Sequence, residues 1–152
     1  MPIDPRFRAA LYTLMSVLFV TGVGWLVVDR LRDSFGPQTW QAVAASLLML
    51  HGGAAMLVLL ALGALIPLHV RGAWRSRRNR PTGEVMLAAN ATLIVTAFGL
   101  YYLGSETLRH WSSALHVAVG LGIPIFLTGH VLLGKRSLRA TRRESRGVPR
   151  VI

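Results

Sequence analysis

The sequence predicts an all-α membrane protein that folds as a four-transmembrane-helix, up-down bundle. Of its 152 residues 53% are hydrophobic and only 15% are charged, whereas an ordinary soluble domain carries about 25% charged residues. Four long stretches contain no Asp, Glu, Lys or Arg at all: residues 9–28, 34–70, 85–105 and 110–134. Each is near or above the ~20 apolar residues that an α-helix needs to cross the hydrocarbon core.

The ends of these stretches carry the signals expected of membrane helices. The first is longer than the ~7–15 residues usual in a signal peptide, and no A-x-A site follows it, which predicts a retained helix. The second begins near Trp40, and Pro67 near its inner end predicts a kink. The third opens at Pro81–Glu84, with Thr82 as the expected cap, and the fourth begins near Thr107. Short connections between such helices favour antiparallel neighbours.

Basic residues are concentrated on one side of the predicted membrane. Five of the 17 Lys and Arg residues lie in the 71–83 loop and seven more follow residue 134, while the 29–39 and 104–109 loops are nearly neutral. This positive-inside pattern predicts that both termini and the 71–83 loop lie in the cytoplasm. Residues 1–138 then form the transmembrane domain, and residues 139–152 form a basic cytoplasmic tail. The net charge of +11 is expected to face anionic lipid rather than nucleic acid.

Four histidines lie inside these apolar stretches, where histidine is costly and by default marks a functional site. His116 and His130 are fourteen residues apart on the fourth helix, and His51 and His69 are eighteen apart on the second. In an α-helix the first pair would be about 21 Å apart and would differ by about 40° in direction, and the second pair would be about 27 Å apart on one face. The pattern therefore places two imidazoles at each of two depths.

Two bis-histidine haems would require such an arrangement. In an up-down bundle the second and fourth helices run in the same direction, so His51 and His116 would hold an outer haem iron. His69 and His130 would hold an inner one. The two spacings differ by about one helical turn, and helix tilt or the proline kink must absorb the difference. His110 is expected to be an interfacial residue, or alternatively a quinone or proton contact.

Other residues suit the same cofactor. Arg71 and Arg75 on the inner side and Arg109 on the outer side are candidate partners of haem propionates. Ligating histidines are expected to donate their second ring N–H to a hydroxyl or backbone group, for which Ser46, Ser113 and Thr128 are candidates. Glycines that either clear space for a macrocycle or allow close helix packing lie near the histidines or on neighbouring helices: Gly22, Gly24, Gly52, Gly53, Gly99, Gly120, Gly122, Gly129 and Gly134.

Several other chemistries are disfavoured. The chain has no cysteine, which excludes covalent c-type haem, cysteine-ligated iron–sulfur clusters and disulfides. A zinc site would need ligands within a few ångströms of each other, but these histidines are spread along their helices. No phosphate-binding glycine loop or nucleophile elbow is present. Asn90 and Thr96 on the third helix are expected to make interhelical hydrogen bonds rather than a transport path.

Four segments resemble the four-helix di-haem cytochrome b group, which includes the membrane subunits of formate dehydrogenases and nickel–iron hydrogenases and also superoxide oxidase. They are the run His69–Trp74, the run Asn79–Gly83, the run Gly99–Leu103 and the His116 to His130 pair. The resemblance implies two b haems that carry electrons between a periplasmic partner and the quinone pool. Such proteins commonly take a haem ligand from the first helix. That helix has no histidine here, so the fourth ligand falls to His69.

The function expected from these features is electron transfer, and the chain would be a subunit of a membrane oxidoreductase complex. Electrons would pass between a periplasmic donor or acceptor, such as a c-type cytochrome, and quinone or another inner-side acceptor. One alternative is a stand-alone quinone-linked oxidoreductase resembling superoxide oxidase. Another is a haem-free assembly or transport subunit, which would be colourless when purified.

Overall fold

A computed structural model describes residues 4–35, 37–75 and 80–147, which are helical almost throughout. The elements are α1 (Pro5–Phe35), α2 (Pro37–Leu65), a π-helical turn (Ile66–Val70), α3 (Arg71–Arg75), α4 (Arg80–Tyr102) and α5 (Glu106–Gly147). The described ranges contain no strand. The predicted all-α class is therefore confirmed. Helix α5 continues into the predicted basic tail, of which residues 148–152 lie outside the described part of the chain.

Four helices are long and apolar enough to cross a membrane, as the sequence predicts. The candidate spans are Pro5–Leu31, Trp40–Leu65, Arg80–Tyr102 and Glu106–Ser137, so the predicted first to fourth helices are α1, α2, α4 and α5. Many large apolar side chains on them are exposed, including Met49, Leu60 and Ile125 at 73% each. Exposed apolar surface of this extent is what lipid contact requires, which makes this a multi-pass membrane protein.

The helix starts follow ordinary capping chemistry. Asp4 caps α1, because its carboxylate accepts hydrogen bonds from the backbone N–H groups of Arg6 at 2.8 Å and Phe7 at 3.2 Å. Ser105 stands in the same place before α5 and accepts from the N–H of Leu108 at 3.4 Å. The prediction that Thr82 caps the third helix is wrong, since α4 already begins at Arg80.

The chain divides into two compact units, Met1–Gly72 and Ala73–Ile152. The first contains the α1–α2 hairpin and the second contains the α4–α5 hairpin. Both hairpins are antiparallel. On the second, Thr96 contacts His116 and Thr82 contacts His130. Thr82 lies fourteen residues before Thr96 on α4, and His130 lies fourteen residues after His116 on α5, as an antiparallel pair of helices requires. Such a register brings a fixed set of side chains together at each level of the hairpin.

Two departures from regular α-helix lie close to the candidate histidines. His69 belongs to the π-helical turn Ile66–Val70, which also contains Pro67. Pro124 lies inside α5, between His116 and His130. A proline within a helix removes one backbone hydrogen bond, yet His116 and His130 on either side of it both contact α4, so the two histidines share a face of α5 as predicted.

Candidate functional site

His51 on α2 is held by the neighbouring helix of its own hairpin. Its Nδ1 lies 3.1 Å from the Thr21 hydroxyl oxygen and 3.0 Å from the Leu18 carbonyl oxygen, both on α1. A carbonyl oxygen only accepts hydrogen bonds, so Nδ1 must carry the proton. The lone pair of the neutral ring is then on Nε2, which is the nitrogen able to coordinate a metal.

His116 on α5 has the same type of partner. Its Nδ1 lies 2.9 Å from the hydroxyl oxygen of Thr96 on α4. That hydroxyl donates its single proton to the carbonyl of Thr92 at 2.7 Å, within its own helix. The oxygen of Thr96 therefore accepts from the imidazole, which again places the proton on Nδ1 and the lone pair on Nε2. Thr96 is 6% exposed, so this hydrogen bond is shielded from solvent.

His130 repeats the arrangement further along α5. Its Nδ1 lies 2.9 Å from the hydroxyl oxygen of Thr82 on α4. The pair borders an open cleft of about 270 Å³. The residues that line it are mainly apolar: Pro81, Thr82, Val85, Ile125, Phe126, Gly129 and His130. His130 and the Thr82 hydroxyl are the polar groups of this otherwise apolar cleft.

The three threonines were not among the predicted partners of the histidines. Hydroxyl and backbone acceptors were expected and are found, but on different residues. Ser46 and Thr128 instead donate to carbonyls of their own helices, those of Ala42 at 2.9 Å and Pro124 at 2.7 Å. Serine and threonine often bond the backbone one turn earlier in this way.

Two polar residues on α4 were predicted to make interhelical hydrogen bonds, and one of them does so. Thr96 bonds to α5 as expected, through His116. The side-chain N–H of Asn90 instead donates to the Met86 carbonyl of its own helix at 2.8 Å.

His69 differs from the other three in its backbone. It lies in the π-helical turn, partly buried. The expected shared face with His51 assumed five whole α-helical turns. A π-helical turn, with i→i+5 hydrogen bonds, advances by a smaller angle per residue, so that count does not apply here.

The remaining predicted residues lie at the helix ends. The side chain of His110 is exposed and meets Trp111 edge-on, with ring centroids 6.2 Å apart, as expected of an interfacial residue. The candidate propionate partners Arg71, Arg75 and Arg109 are exposed as well. The predicted pairing of His51 with His116, and of His69 with His130, joins residues of different hairpins and stays a prediction.

Gly22 on α1 gives His51 the space to reach its acceptors. A Cβ at Gly22 would lie 3.1 Å from Cε1 of His51 and 3.4 Å from its Nδ1, so an alanine would push the ring away from Thr21. Gly52, Gly53 and Gly129, each within two residues of a histidine, differ from Gly22. A Cβ on any of them would meet nothing within 4 Å in its own hairpin.

We expect Gly22→Ala to destabilise the protein relative to Gly63→Ala by about 1–3 kcal/mol, the usual cost of overpacking. Gly63 is the matched control, because a Cβ there would meet nothing within 4 Å. Thermal unfolding in detergent, followed by circular dichroism, gives the comparison. Equal unfolding temperatures for the two variants would contradict a tight fit between Gly22 and His51.

Within the described residues no group of three or more His, Cys, Asp or Glu side chains could hold a metal ion. This finding bears on a metal bound by protein atoms alone, whereas a haem iron takes four ligands from its porphyrin and needs only one or two from the protein. No family model, curated protein or solved structure matches the chain.

Proposed function

We propose that the chain is a di-haem b-type cytochrome and acts as the electron-transfer subunit of a bacterial inner-membrane oxidoreductase complex. It would carry electrons between a periplasmic redox partner, such as a c-type cytochrome subunit, and the quinone pool or another inner-side acceptor. Both termini would be cytoplasmic, as the positive-inside pattern predicts.

The observation that carries the proposal is the common orientation of three histidines on membrane helices. His51, His116 and His130 each direct Nδ1 to a threonine oxygen on the adjacent helix. Metal-ligating histidines almost always donate one ring N–H to such a partner, which fixes the tautomer and orients the other nitrogen. Histidine within a membrane helix is costly and by default marks a functional site, and the same orientation at three histidines supports a common ligand role.

The residues around the histidines fit a haem. Two imidazoles per iron suffice, and small residues must stand where the macrocycle passes. Gly52, Gly53 and Gly129 satisfy that requirement, because no atom of their own hairpin lies where a side chain would project. Positive side chains at the membrane boundary can pair with propionates. For this role the chain offers Arg71 and Arg75 on the inner side and Arg109 on the outer side.

The protein's part in the reaction would be to hold and insulate the redox centres. A b haem, when bound, supplies an iron that accepts and releases one electron. His51 and His116 would hold the outer haem and His69 and His130 the inner one. With two histidines committed to each haem, no position would remain open for oxygen. The apolar helices exclude water, so little solvent would need to reorganise when charge moves.

The haem-to-protein ratio of the detergent-purified chain, with a reduced-minus-oxidised spectrum, tests the proposal. We expect about two low-spin b haems per chain, each of which two histidines would hold. One haem per chain would contradict the assignment of His69. A colourless protein expressed with ample haem would contradict the proposed function and favour an assembly or transport role.

A further inference from the structure

We infer that Thr21, Thr82 and Thr96 are positioning residues, which orient three haem-ligating imidazoles and raise their basicity. The inference rests on the proposed function. It adds to that function a set of side chains that do not contact the iron but control how strongly the protein holds each haem and at what potential.

The geometry is repeated at three places on two hairpins. The distance from the histidine Nδ1 to the threonine Oγ1 is 3.1 Å at Thr21, 2.9 Å at Thr96 and 2.9 Å at Thr82. In each case the threonine stands on the first helix of the hairpin and the histidine on the second. Thr21 and Thr96 are 7% and 6% exposed. The same threonine–histidine contact at three places indicates that all three imidazoles need a hydrogen-bond partner for Nδ1.

The direction of the hydrogen bonds shows what the threonines do. The hydroxyl of Thr21 donates to the Val17 carbonyl at 2.7 Å, and that of Thr96 donates to the Thr92 carbonyl at 2.7 Å. Each hydroxyl has one proton, so its oxygen is left as an acceptor that the helix itself has already oriented. The imidazoles of His51 and His116 therefore donate from Nδ1, and their Nε2 lone pairs point away from the threonines.

An imidazole that donates from Nδ1 is a more basic ligand at Nε2, and a more basic ligand stabilises oxidised iron over reduced iron. Loss of the acceptor should therefore raise the midpoint potential of the haem concerned and weaken its binding. A threonine that served only to join two membrane helices would leave the potential unchanged.

Thr96→Val is the direct test, because valine keeps the shape of threonine but cannot accept a hydrogen bond. We expect haem affinity at the His116 site to fall about 10- to 100-fold, the usual effect of losing such a partner, and the potential of that haem to rise. Thr96→Ser should restore both values. Thr92→Val, one turn earlier on α4, is the matched control and should behave as the wild type.

The measurements are haem content during dilution in detergent, a redox titration and the low-spin electron paramagnetic resonance signal. Thr96→Val with wild-type haem retention and potentials would overturn the inference. If that variant does not insert into the membrane, Thr82→Val and Thr82→Ser test the same prediction at His130. A wild-type protein without haem would instead overturn the proposed function, so the two failures are distinguishable.

Discussion

Replacement of His116 by alanine is expected to lower the haem content from two to about one per chain. With its axial ligand gone, the outer haem would be five-coordinate at best, and loss of the ligand costs more than the 10- to 100-fold lost when only a ligand's hydrogen-bond partner is removed. The inner haem should stay, because its ligands are untouched. The measurement is the haem-to-protein ratio of purified protein together with the reduced-minus-oxidised spectrum, whose amplitude should fall by about half.

His110→Ala is the matched control for this variant. His110 lies six residues earlier on the same helix, but its side chain is exposed and meets Trp111 edge-on. We expect this variant to keep both haems. If His116→Ala also kept full haem content and an unchanged low-spin spectrum, His116 would not be a ligand, whatever the other histidines do.

The fold was predictable because a bilayer restricts what a chain can do. Charged residues are excluded from the hydrocarbon and backbone groups must bond within their own helix, so four uncharged stretches suffice to predict α1, α2, α4 and α5. The residues at which the helices begin were harder to predict. Thr82 has the form of a cap after Pro81, but proline is equally tolerated in the first turn of a helix. The hydroxyl of Thr82 instead contacts His130.

The histidines could be found from the sequence, and their partners could have been found as well. Thr82 and Thr96 are fourteen residues apart, the same separation as His116 and His130. In an antiparallel hairpin, two equal separations mean that a register which pairs one threonine with one histidine also pairs the other two residues. On the first hairpin Thr21 lies fourteen residues before the end of α1, and His51 lies fourteen after the start of α2. Side-chain chemistry alone, without register, pointed to Ser46, Ser113 and Thr128 instead.

The winding around His69 could not be predicted in the same way. Pro67 indicated a disturbance of the backbone, but a missing N–H can be accommodated by a kink or by a π-helical turn. The outcome depends on how neighbouring carbonyls are satisfied, which residue types do not specify. The turn Ile66–Val70 changes the direction in which His69 points, and a helical wheel would have placed it wrongly.

The proposed pairing of the four histidines predicts a large difference in haem content between two kinds of double variant. His51→Ala combined with His116→Ala should retain about one haem per chain, the same as either single variant. His116→Ala combined with His130→Ala should retain none. The reason is that substitutions act non-additively when they remove the same interaction and additively when they remove separate ones. Haem-to-protein ratios of the single and double variants, purified in parallel, give the comparison.

The same set of variants separates the possible ligand sets. If His51 and His116 belonged to different haems, their double variant would be colourless, because each substitution would remove a different haem. His69→Ala with two haems and unchanged spectra would show that the π-helical turn does not supply the fourth ligand. His69→Ala and the His69→Ala, His130→Ala double variant should each retain one haem if these two residues share an iron. Only the proposed pairing yields one haem for both within-pair doubles and none for a cross-pair double.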